Sequence, residues 1–400
     1  MDIRERNNIL KQYIKDNGRS SMKEPSGELK YKFLDPAAVY RAQLWDWDSF
    51  FCGTALIDVY EDVAEYVKGC VLNFFDHARK DGSVPYVIDV NEEKMFALPS
   101  LSITERDEKC DINSIKPLLA QMTLLAGKRF EDTSWIKDNF SKLEKHIAHW
   151  EETQKTSIGI FVWRSYRGSG TDNHPALYGR PLNSSAGVEV NCLMYKEYLA
   201  MTELKKLCGI ESDIDYTAKA EELAECINKY MWDPIDGLYY HQDMLSAKPP
   251  LAAQEITWQV PLKFRTWTCF MPMWAGIAPK EYAERLKEHM MNPEEFYSDY
   301  GLRTLAANEP TYSTWEGSNP SNWQGPIWIV ATYLMYIGLK NYGYSAEAKK
   351  VADNLINMLV DDITQNGCMH EYYNPETGKS NINPGFMNWN ALAALMTDDE

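Results

Sequence analysis

Apolar residues recur at helical spacing along most of the chain, and the connections between these stretches alternate between short and long. Residues 1–17 read as an amphipathic helix with Ile3, Leu10, Tyr13 and Ile14 on one side. Residues 48–80 give two helical segments joined near 58–61, the second carrying Val63, Val67, Val71, Phe74 and Phe75 on one face. A long loop follows at 81–110, with Gly82, Pro85 and Pro99. Next comes a pair at 112–129 and 134–153, the first tolerating Pro117 in its opening turns. After another long loop at 155–182 the pattern repeats: 185–208 with 214–232, a long connection at 233–270, then 272–277 with 280–291. A loop at 292–322 leads to 325–342 with 345–364, and a last helix is expected at 387–396. Only 159–164 and 237–240 read as short hairpin pieces.

If antiparallel helix pairs surround an axis, every second connection emerges at the same end, so the long loops gather on one rim. That alternation predicts an all-α fold, an (α/α)6 barrel, built as a single domain over 1–400. An open solenoid of helical pairs is the competing architecture. It would show a recurring sequence signature and short loops on both sides, and this chain shows neither.

Composition narrows the partners. A net charge of −17 argues against nucleic acid and anionic membrane, which would need a basic surface. Met1 to Arg6 is not followed by an apolar run, and no stretch of about 18 apolar residues occurs, so a cytoplasmic location is expected. Eight cysteines without a C-x-x-C pair read as buried free thiols. Thirteen Trp and 24 Tyr are many for this length, and aromatic faces are surfaces on which sugar rings stack.

Two long loops carry carboxylates next to turn residues. Gly168-Ser169-Gly170-Thr171-Asp172-Asn173-His174-Pro175 presents Asp172, and Met369-His370-Glu371-Tyr372-Tyr373-Asn374-Pro375 presents Glu371. Each alone could be a turn-capping or solvated carboxylate. Placed on one rim, the two could serve as the acid and base of glycoside hydrolysis. A second cluster, Tyr40 to Phe51, alternates Trp45, Asp46, Trp47 and Asp48 just before a helix and offers a stacking wall and acceptors for sugar hydroxyls, although Asp48 could be only an N-cap and the indoles only core. A third cluster, 315–328, places Trp323 and Gln324 at the mouth of an apolar helix. His146 and His149 have i, i+3 spacing but no third ligand nearby. No Gly-rich phosphate loop, nucleophile elbow or dinucleotide fingerprint is present, and the expected chemistry requires no cofactor.

With these motifs in place, the chain resembles the clan of inverting (α/α)6 glycosidases that holds the family 63 glucosidases, the mannosylglycerate hydrolase-like enzymes and, more distantly, the family 37 trehalases. Trp47-Asp48-Ser49-Phe50 resembles W-D-S/A-F, Pro117-Leu118-Leu119-Ala120 resembles P-P-L-L-A, and Asp172-Asn173-His174-Pro175 resembles D-N-S-P. Phe270 to Gly276 is similar to F-x-P-L-W-A-G, Trp323 to Trp328 to Y-W-R-G-P-x-W, and Glu371 to Gly378 to the E-x-Y-N-P-x-T-G loop. The resemblance implies that Asp172 is the general acid and Glu371 the general base acting through water, with inversion. It also implies that Trp47, Asp48 and Gln324 line the subsite of the cleaved sugar. Trp45, Asn173, Arg180, Trp323 and Tyr372 complete the expected binding set, and Tyr178 could extend the leaving-group side. His174 replaces the family's Ser and Gln324 its Arg, departures that bear on substrate more than on reaction. The matched motifs hold few Arg, which argues against a carboxylate-bearing aglycone.

The expected function is therefore an exo-acting α-glycosidase for a small α-linked glucoside or mannoside. The alternatives are another (α/α)6 sugar-active protein, an epimerase or lyase with a His or Tyr base, or a silent carbohydrate-binding protein. The division of labour calls for a protonated Asp172 near neutral pH. Glu371 should be ionised among donors such as Tyr372 or Tyr373, at a carboxylate separation of roughly 6.5–9.5 Å.

Overall fold

The computed structural model describes residues 1–91, 102–105, 108–111, 113–247, 256–315 and 321–397. Pro99, Ile112, the Cys110 side chain and residues 316–320 of the third aromatic cluster lie outside what is described. Among the described residues two sets of six helices differ in their surfaces. One set is buried on nearly every side: α2 (Asp46–Leu56), α4 (Leu119–Gly127), α7 (Val188–Cys208), α9 (Met271–Ala275), α11 (Ile329–Asn341) and a closing 3₁₀ helix (Trp389–Met396). The other set buries one stripe: α1 (Ile3–Asn17), α3 (Val63–Asp76), α6 (Phe140–Gln154), α8 (Tyr216–Tyr230), α10 (Lys280–Met290) and α12 (Ser345–Asn366). In α8 the stripe is Tyr216, Ala220, Leu223 and Ile227, the spacing that keeps side chains on one helix face.

The apolar set forms the inner ring. α4 packs on α7, α7 on α9, α9 on α11, α11 on the closing 3₁₀ helix and that helix on α2, while Leu125 of α4 reaches Gly53 of α2. The amphipathic helices back them, α3 against α4, α8 against α7, α12 against α11 and α1 against the closing 3₁₀ helix, with α1 also packed on α12. This is the (α/α)6 barrel read from the alternation of connections.

Several expected boundaries shift for reasons visible in the contacts. The helix expected from 112 starts only at Leu119, because Asp46 holds both the backbone N–H of Lys116 (2.9 Å) and its ammonium (2.9 Å). The first N–H groups of α4, which have no partner within the helix, are capped from a distance: Glu197 of α7 accepts from Ala120 (2.6 Å) and Gln121 (3.1 Å). The helix expected from 325 starts at Ile329, since Ile327 is paired with Tyr373. The segment 134–153 is broken into one turn, α5 (Ser134–Lys137), and α6. The last helix is 3₁₀ rather than α and starts at Trp389.

The long connection 233–270 holds structure that helical periodicity does not reveal. Trp232–Asp233 pairs with Leu238–Tyr239, as the 237–240 reading anticipated. Beyond it, His241–Ala247 pairs antiparallel with Ile256–Leu262, and Gln242 and Asp243 pair with Ala186 and Ser185 ahead of α7. This ties a rim hairpin to the entrance of an inner helix. Among the described residues seven cysteines are free and buried or half-buried, and no helix is long and apolar enough to cross a membrane.

Candidate active site

At the rim, a cavity of about 730 Å³ opens where inner helices begin. Its wall takes Asp48 from the first turn of α2, Lys116 from just before α4 and Asp172 from the connection before α7. Trp328 comes from the entry to α11, and Trp389 from the first residue of the 3₁₀ helix. The starts of α2, α11 and the 3₁₀ helix thus border one space. Asp172 and Glu371, nearly two hundred residues apart in sequence, both line it.

The loop carrying Asp172 is braced on both sides. His174 N–H bonds to the Thr171 carbonyl (2.9 Å), closing a turn around Asp172, and Ser169 Oγ lies 2.7 Å from Thr171 Oγ1. Gly170 sits at φ 77°, and a Cβ there would lie 2.8 Å from the Trp47 ring, so only glycine lets the loop press on that indole. Asn173 accepts from the Trp323 N–H (2.7 Å) and donates to Asn322 Oδ1 (2.9 Å), and Gln324 Nε2 donates to the Asn173 carbonyl (3.0 Å). The acid loop is therefore stitched to the segment before α11.

Glu371 is 3% exposed. Its carboxylate accepts from the amide of Asn383, and the Tyr40 hydroxyl lies 3.4 and 3.5 Å from its two oxygens. Burial pushes its pKa up to about 7; Asn383 and Tyr40 oppose the rise, and the charge of Asp172 adds to it. The expected donors, Tyr372 and Tyr373, are elsewhere: Tyr373 donates to Asp362 (2.7 Å) and Tyr372 lies beneath Trp328. Tyr40 rides on a strained loop, with Ala37, Ala38 and Ala42 all at positive φ. Buried Asp35 fixes that loop by accepting from the N–H groups of Ala37 (2.9 Å) and Ala42 (3.0 Å).

Asp48 is a third carboxyl in the same cavity. Burial, followed by the neighbouring charge of Asp46, pushes its pKa up to about 8, against the pull of Lys116 and of a hydrogen bond from Asn388. Asp46 and Lys116 form an ion pair at 2.9 Å with both side chains almost wholly buried. The ammonium of Lys116 lies 4.9 Å from the centre of a Trp47 ring. Asp48 is thus a buried wall residue rather than a simple cap.

Indoles make most of the remaining wall. Trp323 stacks on Trp328 with centroids 3.9 Å apart, and Trp47 leans on Trp323 (5.7 Å) and Trp389 (5.2 Å). Of the residues expected from sequence, Trp45, Trp47, Asp48, Asp172, Trp323 and Glu371 line the cavity. Asn173 and Gln324 are not in its lining and act as the loop stitch. Tyr372 is fully buried behind Trp328, and Arg180 pairs with Asp243 of the rim hairpin (2.6 Å). Tyr178 is largely exposed against Tyr166. The sequence reading missed Tyr40, Tyr86, Lys116, Arg167, Trp328 and Trp389, all of which line the cavity. Tyr40 and Trp328 stand at the ends of clusters already singled out, which was the available signal; Lys116 and Arg167 carried none.

Comparison with known proteins adds the family. Residues 41–389 match the mannosylglycerate hydrolase MGH1-like glycoside hydrolase domain. The chain is 26% identical over 255 residues to mannosylglycerate hydrolase MGH1 of Selaginella moellendorffii, covering 62% of this chain and 46% of that protein. It is 24% identical over 291 residues to a probable mannosyl-oligosaccharide glucosidase of Schizosaccharomyces pombe, covering 66% of this chain and 34% of the relative. The chain thus spans about a third to a half of the length of these relatives. Among solved structures, the family 63 mannosylglycerate hydrolase of Thermus thermophilus in complex with glucose superposes with a TM-score of 0.71 at 19% identity, over 96% of this chain and 98% of the other. The neutral trehalase of Saccharomyces cerevisiae gives 0.65 at 17% identity, over 96% and 79%. These structural likenesses establish the barrel fold.

Proposed function

The chain belongs to the mannosylglycerate hydrolase MGH1-like glycoside hydrolase family, and from that premise we propose that it is an inverting, exo-acting α-glycosidase for a small α-linked glucoside or mannoside. One observation carries the reading: Asp172 and Glu371 come from loops far apart in sequence and line one indole-walled cavity, close enough for the charge of one to raise the pKa of the other. In this reading Asp172 protonates the departing glycosidic oxygen, while Glu371 takes the proton of a water that attacks the anomeric carbon from the opposite face. A separation of roughly 6.5–9.5 Å would leave room for that water.

Glu371 is deeply buried, and that burial pushes its pKa up to about 7. A base poised near the operating pH accepts a proton efficiently, so the position suits water activation. Asp48, pushed up to about 8 mainly by burial, lines the same cavity and is placed to meet a sugar hydroxyl. The indole faces of the cavity supply a stacking wall for a sugar ring.

Arg167 bears on the aglycone. The scarcity of Arg in the matched motifs argued against a carboxylate-bearing leaving group, yet Arg167, outside those motifs, brings a guanidinium into the cavity lining. An anionic aglycone therefore belongs in any substrate panel. An epimerase or lyase with a His base is disfavoured, because none of His174, His241 and His370 lines the cavity. Asp172→Asn tests the acid: turnover of a glycoside with a poor leaving group should fall by about 10²–10⁴-fold while ligand binding by calorimetry persists. Undiminished turnover would remove Asp172 from the mechanism.

A further inference from the structure

Behind the Asp172 loop lies a buried charged cluster that the proposed chemistry does not use. Its members come from three elements: His174 from the acid loop, Glu189 from the first turn of α7 and His241 from the first position of the rim hairpin. They are 1%, 3% and 2% exposed. Glu189 Oε2 lies 2.8 Å from His241 Nε2, and Glu189 Oε1 accepts from the Trp163 indole N–H at 2.6 Å. A Cβ at Gly187 would lie 2.6 Å from that indole nitrogen and 2.7 Å from Oε1, so glycine is required where the two meet.

His174 completes the cluster from the loop side. Its ring centroid is 4.7 Å from that of His241, with the planes inclined by 37°. The Ala176 N–H donates to its Nδ1 (3.2 Å), which leaves the ring proton on Nε2, facing Thr268 Oγ1 at 3.4 Å. Burial, reinforced by His241, pushes its pKa down to about 3, so this imidazole is neutral. Burial alone would raise Glu189, but the charge and hydrogen bond of His241 outweigh it and hold the carboxyl below its ordinary range. A neutral ring is thus pressed against the buried Glu189–His241 contact, which is anchored to an inner helix and to a hairpin paired just ahead of it.

A polar contact buried this deeply costs desolvation that its attraction only roughly offsets, so stability alone is a weak reason for one here. What this pair does geometrically is give the acid loop a rigid floor two residues beyond Asp172. We propose that His174, clamped against the Glu189–His241 pair, is a positioning residue that fixes the aim of Asp172 at the departing oxygen. The inference rests on Asp172 being the general acid. It explains how a chain with His in place of the usual Ser keeps the loop in register: the larger ring reaches His241 and couples the loop to the hairpin.

The test separates aim from folding through the leaving group. Methyl α-glucoside and methyl α-mannoside need protonation of the departing oxygen, whereas the corresponding α-glycosyl fluorides need little. His174→Asn keeps an acceptor within reach of the Ala176 N–H but loses the ring contact, and His241→Gln removes the clamp from the other side. In each folded variant kcat/KM on the methyl glycoside should fall by about 10²-fold, with less than about fivefold change on the fluoride, as for a misaimed acid. A loss of equal size on both substrates, or none on either, overturns the proposal. So does wild-type activity of His174→Asn beside a selective loss in His241→Gln, which would reduce His174 to a local turn acceptor. Asp172→Asn is run beside them. If that variant itself shows no leaving-group selectivity, the assignment of Asp172 fails first and the clamp falls with it.

Discussion

Removing the amide that holds Glu371 should move the acid limb of the pH profile. Burial disfavours the ionised form of Glu371 by a net of about 3 kcal/mol, the difference between its ordinary pKa of 4.5 and about 7. That net already contains the help of Asn383, the stronger of the two donors on the carboxylate. A hydrogen bond to a charged group contributes about 1.5–3 kcal/mol, so Asn383→Ala should raise the pKa by roughly a further one to two pH units. The sign follows from the role. The base must be ionised to take the proton of water, so kcat/KM climbs as pH rises through the pKa of Glu371, near 7 in the native protein. In the variant the same climb should be displaced to about pH 8 or above. The assay is kcat/KM against pH on an α-glycosyl fluoride, where demand for the acid is small and one limb dominates. A folded Asn383→Ala protein whose limb stays near pH 7 would refute the claim that this carboxylate is the group read by the profile.

Two further outcomes concern stability. Lys116→Met leaves Asp46 buried without its countercharge, both side chains being at most 2% exposed, and should cost about 3–5 kcal/mol in urea unfolding. Adding Asp46→Asn should recover part of that loss, and a single-variant cost below about 1 kcal/mol would contradict the buried-pair reading. Glu371→Gln should stabilise the protein at about pH 8 by up to about 3 kcal/mol. Between pH 4.5 and about 7 the folded state keeps a proton that the unfolded chain has released, so native stability falls as pH rises through that window. The gain from Gln should accordingly vanish below pH 4.5, and a gain independent of pH would show that burial of the charge is not its source.

How far the chain could be read without coordinates depended on the kind of order involved. Alternating connection lengths and the amphipathic stripes of the outer helices are local properties, so the barrel was legible from them. Helix starts were not. Leu119 begins α4 because Asp46 and Glu197 reach in from other helices, and no window around residues 112–119 contains them. The same limit applies at the cavity. Asp172 and Glu371 were readable because Gly- and Pro-marked turns display them in long loops. Lys116 and Arg167 enter the wall through tertiary packing alone. Asn173, Gln324, Arg180 and Tyr372 were picked out by motif position, and the geometry turns the first two into a loop stitch and the last two away from the cavity. Gln324 illustrates the cause: its side chain holds backbone, the Asn173 carbonyl, a contact that no motif position announces.

The central claim is that Asp172 and Glu371 hydrolyse an α-glycosidic bond by a single displacement through water. Proton NMR tests it most directly, recording the first anomer released from a panel of α-glucosides and α-mannosides that includes both glycerate-bearing and neutral aglycones. Initial appearance of the β-anomer, followed by slow mutarotation, is the predicted result. Initial appearance of the α-anomer would mean retention through a covalent intermediate and would contradict the assignment of Glu371 as a base.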